Sequence, residues 1–470
     1  MEQSLLHLAT NEGYLRNRAK RCLMLGVDMS IWIDNCQAAF QGATLHTHAG
    51  ENPELRAFFF KLCRYLKLPV VLVFVLDGPE HPSIKRGQAA PGEAEAELAK
   101  LNSLGLIDAI LTDDSDALVF GGELSYDFDR VILYNADAIK YSDGVKLSRG
   151  GLLLFALLVG GDYDDGIEGC GATTARALAQ CGFGDDLLEA AMSRSPPKLQ
   201  EFLSGWREKL RSELRFNSCG LLRCRNPGIA EKITDEFPDL TIMNNYLAPL
   251  TSWSPSQPGH QVPSAAGWRA REPSIQRITA FCLQRFGWDR DAEIVKRFRT
   301  NLWEGVAFRM LCSPLVRYDG TRHFLTTPTT NTHVLSQADS KKVASRLTPS
   351  HRLTISTKNF QDLMGEPWAN LLLDTDTISL HVPTCILQTT APSILQSQIK
   401  PKRQSKGKHQ AAMTSGMHVK NTPVAQVSTT TQVIEIIDDL DFPVASGNGP
   451  VSSEIIELTD SDEGSVIDLT

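Results

Sequence analysis

The chain has 470 residues, 42% of them apolar and 22% charged, with a formal net charge of −8. That balance excludes fibrous and wholly disordered chains and leaves a globular protein of two or three domains. The most apolar run, residues 152–159, is far too short to span a bilayer, and the N-terminus lacks a long apolar leader core, so a soluble protein is expected.

Residues 1–20 are polar, with one helical turn predicted around Leu5 to Leu8. MLGVDMSIWIDNC then predicts a short strand over 24–27 that ends at Asp28, with an amphipathic helix behind it. An amphipathic helix over 53–66 leads to a second apolar run, 70–76, which again ends in an acid, Asp77. In APGEAEAELAKLNSLGLIDAILTDDSDALVFGG, Pro91 and Gly92 open a helix whose first turn holds Glu93 and Glu95. The apolar run 106–111 suits a strand covered on both faces, and Asp113, Asp114 and Asp116 follow it. Alternating strands and helices predict an α/β fold with a parallel sheet, in which the carboxyl ends of the strands form the ligand crevice.

A further strand, 131–134, precedes the apolar helix GGLLLFALLVGGDY, whose end delivers Asp162. Gly169, Cys170 and Gly171 then form a G-x-G turn before a helix starting at about Ala172, an arrangement that offers backbone N–H groups to a phosphate. Residues 186–235 are predicted helical, and their basic segment from Arg207 to Arg225 is either a solvated face or a phosphate-contacting one. Residues 247–266 are rich in Pro and Ser and predict a linker. Two helices, 274–286 and 289–310, follow, the second with Lys296, Arg297 and Arg299. Short β-prone runs over 312–387 predict a small separate module, and the polar remainder, 388–470, is expected to be disordered.

That tail holds a basic cluster, Lys400, Lys402, Arg403, Lys406 and Lys408, resembling a nuclear-import signal. Its last 40 residues contain 10 acids and no Lys or Arg, which leaves the body with 45 acids against 47 bases, a balance of +2. Basic surface must therefore lie elsewhere on the body, which permits nucleic-acid binding without demanding it. Three β-prone runs sit beside the tail acids: Val433, Ile434, Ile436 and Ile437; then Ile455, Ile456 and Leu458; then Val466, Ile467 and Leu469. Such runs add as a strand to a partner's sheet edge and resemble SUMO-interacting motifs. The ten cysteines are scattered singly, and Cys219 and Cys224 lack C-x-x-C spacing, so reduced thiols in an intracellular protein are expected.

One acid after a strand is usually a helix cap or turn residue. Three strands ending this way, with two glutamates at a helix start, are hard to explain by capping alone. Asp28, Asp77, Glu93, Glu95, Asp114, Asp116 and Asp162 are more carboxylates than one metal needs and suit two Mg²⁺ ions, the hard cations that such oxygens prefer. Two such ions activate water and stabilise charge in phosphodiester cleavage, with no Ser, His or Cys nucleophile required.

With those residues in view, the chain resembles the XPG-type structure-specific nucleases, and among them the Holliday-junction resolvase (GEN/Yen) branch. GVDMSIWID is similar to the N-terminal nuclease motif, the APGEAE…LVFGG stretch to the internal nuclease motif, and LLVGGDYDDGIEGCGATTARALAQCGFG to the helix–hairpin–helix. The resemblance implies a PIN-like nuclease core over 1–122 and 123–246, a linker over 247–266, a helical segment over 267–311 and a chromodomain-like module over 312–387. It also implies that the seven acids are metal ligands and that Lys85 and Arg86 contact DNA, Lys85 at the scissile phosphate. Gly169, Cys170 and Gly171 would grip duplex backbone with a K⁺ ion, and Mn²⁺ would substitute for Mg²⁺. Two departures stand out: Met1 enters downstream of the family's usual start, and at KRGQAAPGEAE only Gln88 and Ala89 occupy the place of the helical arch. The implied function is a nuclear Mg²⁺-dependent endonuclease cutting branched DNA, Holliday junctions above all, acting as a dimer in repair and recombination. The alternatives are a 5′-flap endonuclease, and a catalytically impaired DNA-binding adaptor or truncated isoform recruited through SUMO.

Overall fold

The computed structural model describes residues 2–16, 21–40, 51–77, 92–112, 131–142, 145–254, 267–268, 270, 273–288, 291–313, 317–319, 324–326, 337–343, 348–371, 377–396 and 433–436. At its centre is a six-stranded sheet. β1 (Glu2–Gln3), β2 (Leu23–Asp28), β3 (Val70–Val75), β4 (Ala109–Leu111) and β5 (Val131–Tyr134) come from the first 134 residues, and the sixth strand, Val433–Ile436, comes from the tail. Their order is β1, β5, the tail strand, β4, β2, β3. β2 pairs in parallel with both β3 and β4, while β1 runs antiparallel to β5.

All six residues of β2 are buried, as a strand covered on both faces requires. On one face lie α2 (Met29–Ala38) and α3 (Pro53–Tyr65), with Trp32 against Tyr65 at 5.3 Å between ring centroids. On the other lies α4 (Ala94–Ser103), which approaches β2 so closely that a Cβ at Gly26 would stand 2.5 Å from Leu98 Cδ2 and Ile107 Cδ1. β4 begins only at Ala109, short of the predicted 106–111. Asp108 is occupied by Met24: its N–H donates to Met24 O at 2.8 Å and its carboxylate accepts from Met24 N–H at 2.7 Å.

Behind α4 the chain is helical: α5 (Ala136–Tyr141), α6 (Arg149–Val159), α7 (Ala172–Gln180), α8 (Phe183–Ser193), α9 (Pro196–Phe216), α10 (Pro227–Lys232) and α11 (Leu240–Leu247). Leu154, Leu158, Leu178, Trp206 and Leu210 share one core with Leu98 and Ile110. The first residues of the predicted linker over 247–266 are packed, since Ser252 N–H donates to Glu97 Oε2 at 2.8 Å and Trp253 packs on this core; residues 255–266 lie outside the described residues.

The predicted helix over 289–310 is two, α13 (Asp291–Asn301) and α14 (Trp303–Cys312), which follow α12 (Ile275–Phe286). The region expected to be a separate module has a β-hairpin, Arg317–Asp319 with Phe324–Thr326, and a three-stranded antiparallel sheet of Gln337–Val343, Ser350–Ser356 and Thr377–Pro383. It is not separate from the helices before it. Trp303 stacks on Phe360 at 5.7 Å, and Leu353, Ile355 and Leu380 share a core with Phe298 and Val306. That core continues past residue 388, where disorder was expected: helices Thr384–Thr390 and Pro392–Gln396 bury Ile386, Leu387 and Ile394. Among the described residues, no helix is long and apolar enough to cross a membrane.

Candidate metal and nucleic-acid site

Parallel pairing in register brings the carboxyl ends of three strands to one edge. Asp28 stands opposite Val75, and Val27 opposite Leu111, so Asp28, Asp77 and Thr112 all fall at that edge. Asp28 closes β2 and caps α2, accepting from Ser30 N–H at 2.8 Å, and is only 3% exposed. Capping and site membership thus coincide in one residue. Asp77 accepts from Ser30 Oγ at 2.9 Å and from Ala94 N–H at 3.0 Å, which ties the start of α2 and the start of α4 to the end of β3.

Glu93 is the N-cap of α4 rather than a first-turn residue, and its side chain makes no cap bond. Its carboxylate accepts instead from the Tyr163 hydroxyl. Glu95 lies in the first turn, buried, with its carboxyl in hydrogen-bonding contact with that of Asp28. Two carboxyl groups hold such a contact by sharing a proton or a cation. Burial pushes the Asp28 carboxyl above the usual range, and Asp77 adds to the rise while the Ser30 N–H opposes it. The Tyr163 phenol is pushed far up by burial and then by the charge of Glu93. Asp162, half-buried, immediately precedes Tyr163 in the turn after α6, beside the group that touches Glu93.

Among the described residues, no three of these acids have oxygens all within 4.8 Å of one another. Asp28, Glu93 and Glu95 are buried oxygen donors, a set that fits hard divalent cations. Asp113, Asp114, Asp116, Lys85 and Arg86 lie outside the described residues.

The G-x-G turn is formed. Gly169 takes φ +87° and is exposed, Cys170 is buried beneath it, and Gly171 is the N-cap of α7 with no side chain over the helix start. Gly169 and Gly171 have no neighbouring atom within 4 Å of an added Cβ, so the hairpin presents open backbone to solvent.

A family model of the XPG I-region matches residues 87–162, the segment that carries Glu93, Glu95, Asp114, Asp116 and Asp162. That segment of the chain is therefore similar to the I-region of XPG-type nucleases. Over 290 residues it is 27% identical to flap endonuclease GEN-like 1 of Arabidopsis thaliana, covering 47% of this chain and 45% of that protein. With Holliday junction resolvase YEN1 of Saccharomyces cerevisiae it shares 34% identity over 118 residues, 20% of this chain and 16% of that one. A solved structure of the Holliday junction-resolving enzyme GEN1 in complex with product DNA and Mg²⁺ superposes with a TM-score of 0.60 at 25% identity, across 84% of this chain and 95% of that one. The chain spans under half the length of the curated relatives it matches.

Several residues singled out in the sequence do structural work. Arg207 is buried, with Nε donating to Phe237 O, and Arg211 pairs with Asp235 at 2.8 Å and donates to Ile233 O at 2.8 Å. Those two close the α9–α10 corner. Arg297 pairs with Glu293 and covers the Trp288 ring, and Arg299 donates to Thr377 O at 2.8 Å. The first β-prone run of the tail, Val433–Ile436, pairs on both sides, with β5 and with β4, so it offers no free edge to a partner. Ile437 and the runs at Ile455, Ile456 and Leu458 and at Val466, Ile467 and Leu469 lie outside the described residues, as does the basic cluster.

Three residues escaped the sequence reading. Ser30 and Tyr163 hold Asp77 and Glu93; the DY dipeptide after Gly161 was the available signal for Tyr163. The third, Cys181, is brought next to Glu213 and Cys219, 32 and 38 residues away, and no spacing rule would have found it.

Proposed function

We propose that this chain is a Mg²⁺-dependent structure-specific endonuclease that cuts branched DNA, Holliday junctions above all, in repair and recombination. The observation that carries the reading is the convergence of Asp28 and Asp77 with Glu93 and Glu95, the latter two inside the XPG I-region match, on one edge of the parallel sheet. With Asp114, Asp116 and Asp162 they would hold two Mg²⁺ ions, or Mn²⁺ in their place. When bound, the ions supply a water activated for in-line attack and charge stabilisation at the scissile phosphate. Asp28 orients the start of α2, Tyr163 fixes Glu93, and Asp77 holds α2 and α4 together, so the donors are positioned before metal arrives. Lys85 and Arg86 would contact the scissile strand. The hairpin Gly169–Cys170–Gly171, with K⁺, would grip the duplex beyond it, and its open backbone supports that role.

Symmetric incision of a four-way junction needs two active sites, so a dimer on the junction is part of this reading. The antiparallel region over 312–387 would be the chromodomain-like module. The tail would direct nuclear import through Lys400 to Lys408 and dock SUMO through its last two β-prone runs. A flap-cutting activity is the second reading, favoured by the flap endonuclease relatives. Labelled four-way junctions and 5′ flaps incubated with the full chain and Mg²⁺ test both. Paired cuts near the exchange point support the resolvase, cuts only at flap bases support the second reading, and cutting of neither makes the chain a non-catalytic binder.

A further inference from the structure

A second ligand cluster lies away from the strand ends, where α7, α9 and the turn after α9 meet. Cys181 is the C-cap of α7, Glu213 stands in the last turn of α9, and Cys219 lies in the turn that follows. Their two Sγ atoms and a carboxylate oxygen all lie within 4.8 Å of one another, the one such group of three potential metal donors among the described residues. The turn that carries Cys219 is built to hold it. Asn217 takes φ +53° and bonds Leu222 twice, accepting its N–H at 3.1 Å and donating to its carbonyl at 2.9 Å, while Asn226 N–H donates to Leu214 O at 2.7 Å.

Glu213 is 4% exposed and accepts from the N–H groups of Ser218 and Cys219, each at 3.0 Å. Among the described residues no Lys or Arg pairs with it. A buried carboxylate beside two thiols, with no cationic side chain, is an incomplete arrangement electrostatically, and a bound cation would complete it. Two sulfurs with one oxygen select a softer ion than Mg²⁺.

We propose that Cys181, Cys219 and Glu213 bind Zn²⁺, with water as the fourth ligand. A tetrahedral ion with Zn–S near 2.3 Å sets sulfur atoms about 3.8 Å apart, so the cluster closes with shifts of about 1 Å or less. Binding releases the two thiol protons to solvent and leaves both sulfurs as thiolates on the metal. The ion ties the C-terminal end of α7, whose other end carries the hairpin, to the end of α9. It is a structural clamp, separate from the acids at the strand ends.

Cobalt titration of the metal-stripped full chain, kept reduced with a phosphine, tests this. Thiolate ligation gives a sulfur-to-Co²⁺ charge-transfer band in the near ultraviolet, which carboxylate-bound Co²⁺ at the strand ends does not. The expected result is a band that saturates at one equivalent and is displaced by Zn²⁺. The band should fall at least tenfold in Cys181→Ser and in Cys219→Ser and persist in Cys224→Ser. Absence of the band in the unmutated chain overturns the proposal, whatever the variants do. So does a band left undiminished in both the Cys181 and Cys219 variants.

Discussion

The acids at the strand ends and the thiol corner between α7 and α9 are assembled in opposite ways. Asp28 and Asp77 follow strands and Glu93 and Glu95 open a helix, so their positions are set by local rules and brought together by parallel pairing, with Asp28 ending β2 and Asp77 two residues beyond β3. The thiol corner has no local rule: Cys181 comes from one helix and Cys219 from a turn 38 residues later, joined only because α7 and α9 pack in one core. The first gathers hard oxygen donors where a substrate can enter; the second gathers sulfur around a buried carboxylate. The different donor atoms therefore imply different ions and different tasks.

The largest expected effect breaks one side of that comparison alone. Asp28→Asn should lower junction cleavage on the order of 10³-fold, a size typical of losing an essential electrostatic group, while junction binding by gel shift stays within a few-fold. Trp303→Ala removes the ring stacked on Phe360 and should cost about 3–5 kcal/mol by denaturant unfolding. Loss of the α12–α14 helices together with the sheet of residues 350–383 in one transition would accord with their common core; separate transitions would divide it.

Tyr163→Phe leaves Glu93 without its phenolic donor, and a loss of roughly 10–100-fold is expected, recovered in part by raising Mg²⁺. An unchanged Mg²⁺ dependence would assign the hydroxyl to packing instead. Gly169→Ala should cost about 1–2 kcal/mol because an alanine is strained at φ +87°, with weaker duplex binding and unaltered metal affinity.

The smallest effect is one of pH. Burial first, and Asp77 next, hold the folded-state Asp28 carboxyl above its unfolded value, so between the two values the folded chain binds more protons. The metal-free chain should therefore gain stability as pH falls through that window and lose it as pH rises. Asp28→Asn should flatten the slope, as read by thermal midpoints across pH in a chelating buffer.

Much of the fold was legible because its signals are local. Apolar runs ending in acids, a Pro-Gly helix opening and a G-x-G turn each follow from backbone and solvation preferences over a few residues. Several details were not legible, and each turned on a contact between distant segments. Asp108 is claimed by Met24, which shortens β4. Glu93 turns from capping to Tyr163. Arg207 and Arg211 donate to the backbone carbonyls of Phe237 and Ile233. Trp303 and Phe360 fuse what composition divided.

By itself, then, the sequence determined the α/β class, the acidic strand ends and the hairpin, because period, turn chemistry and charge placement are written residue by residue. Tertiary packing alone decided which strand lies beside which, including the tail segment Val433–Ile436 between β4 and β5. It also decided that two thiols and a carboxylate from three places share one corner. Neither outcome has a local energy term, since each exists only when surfaces far apart in the chain are buried against one another.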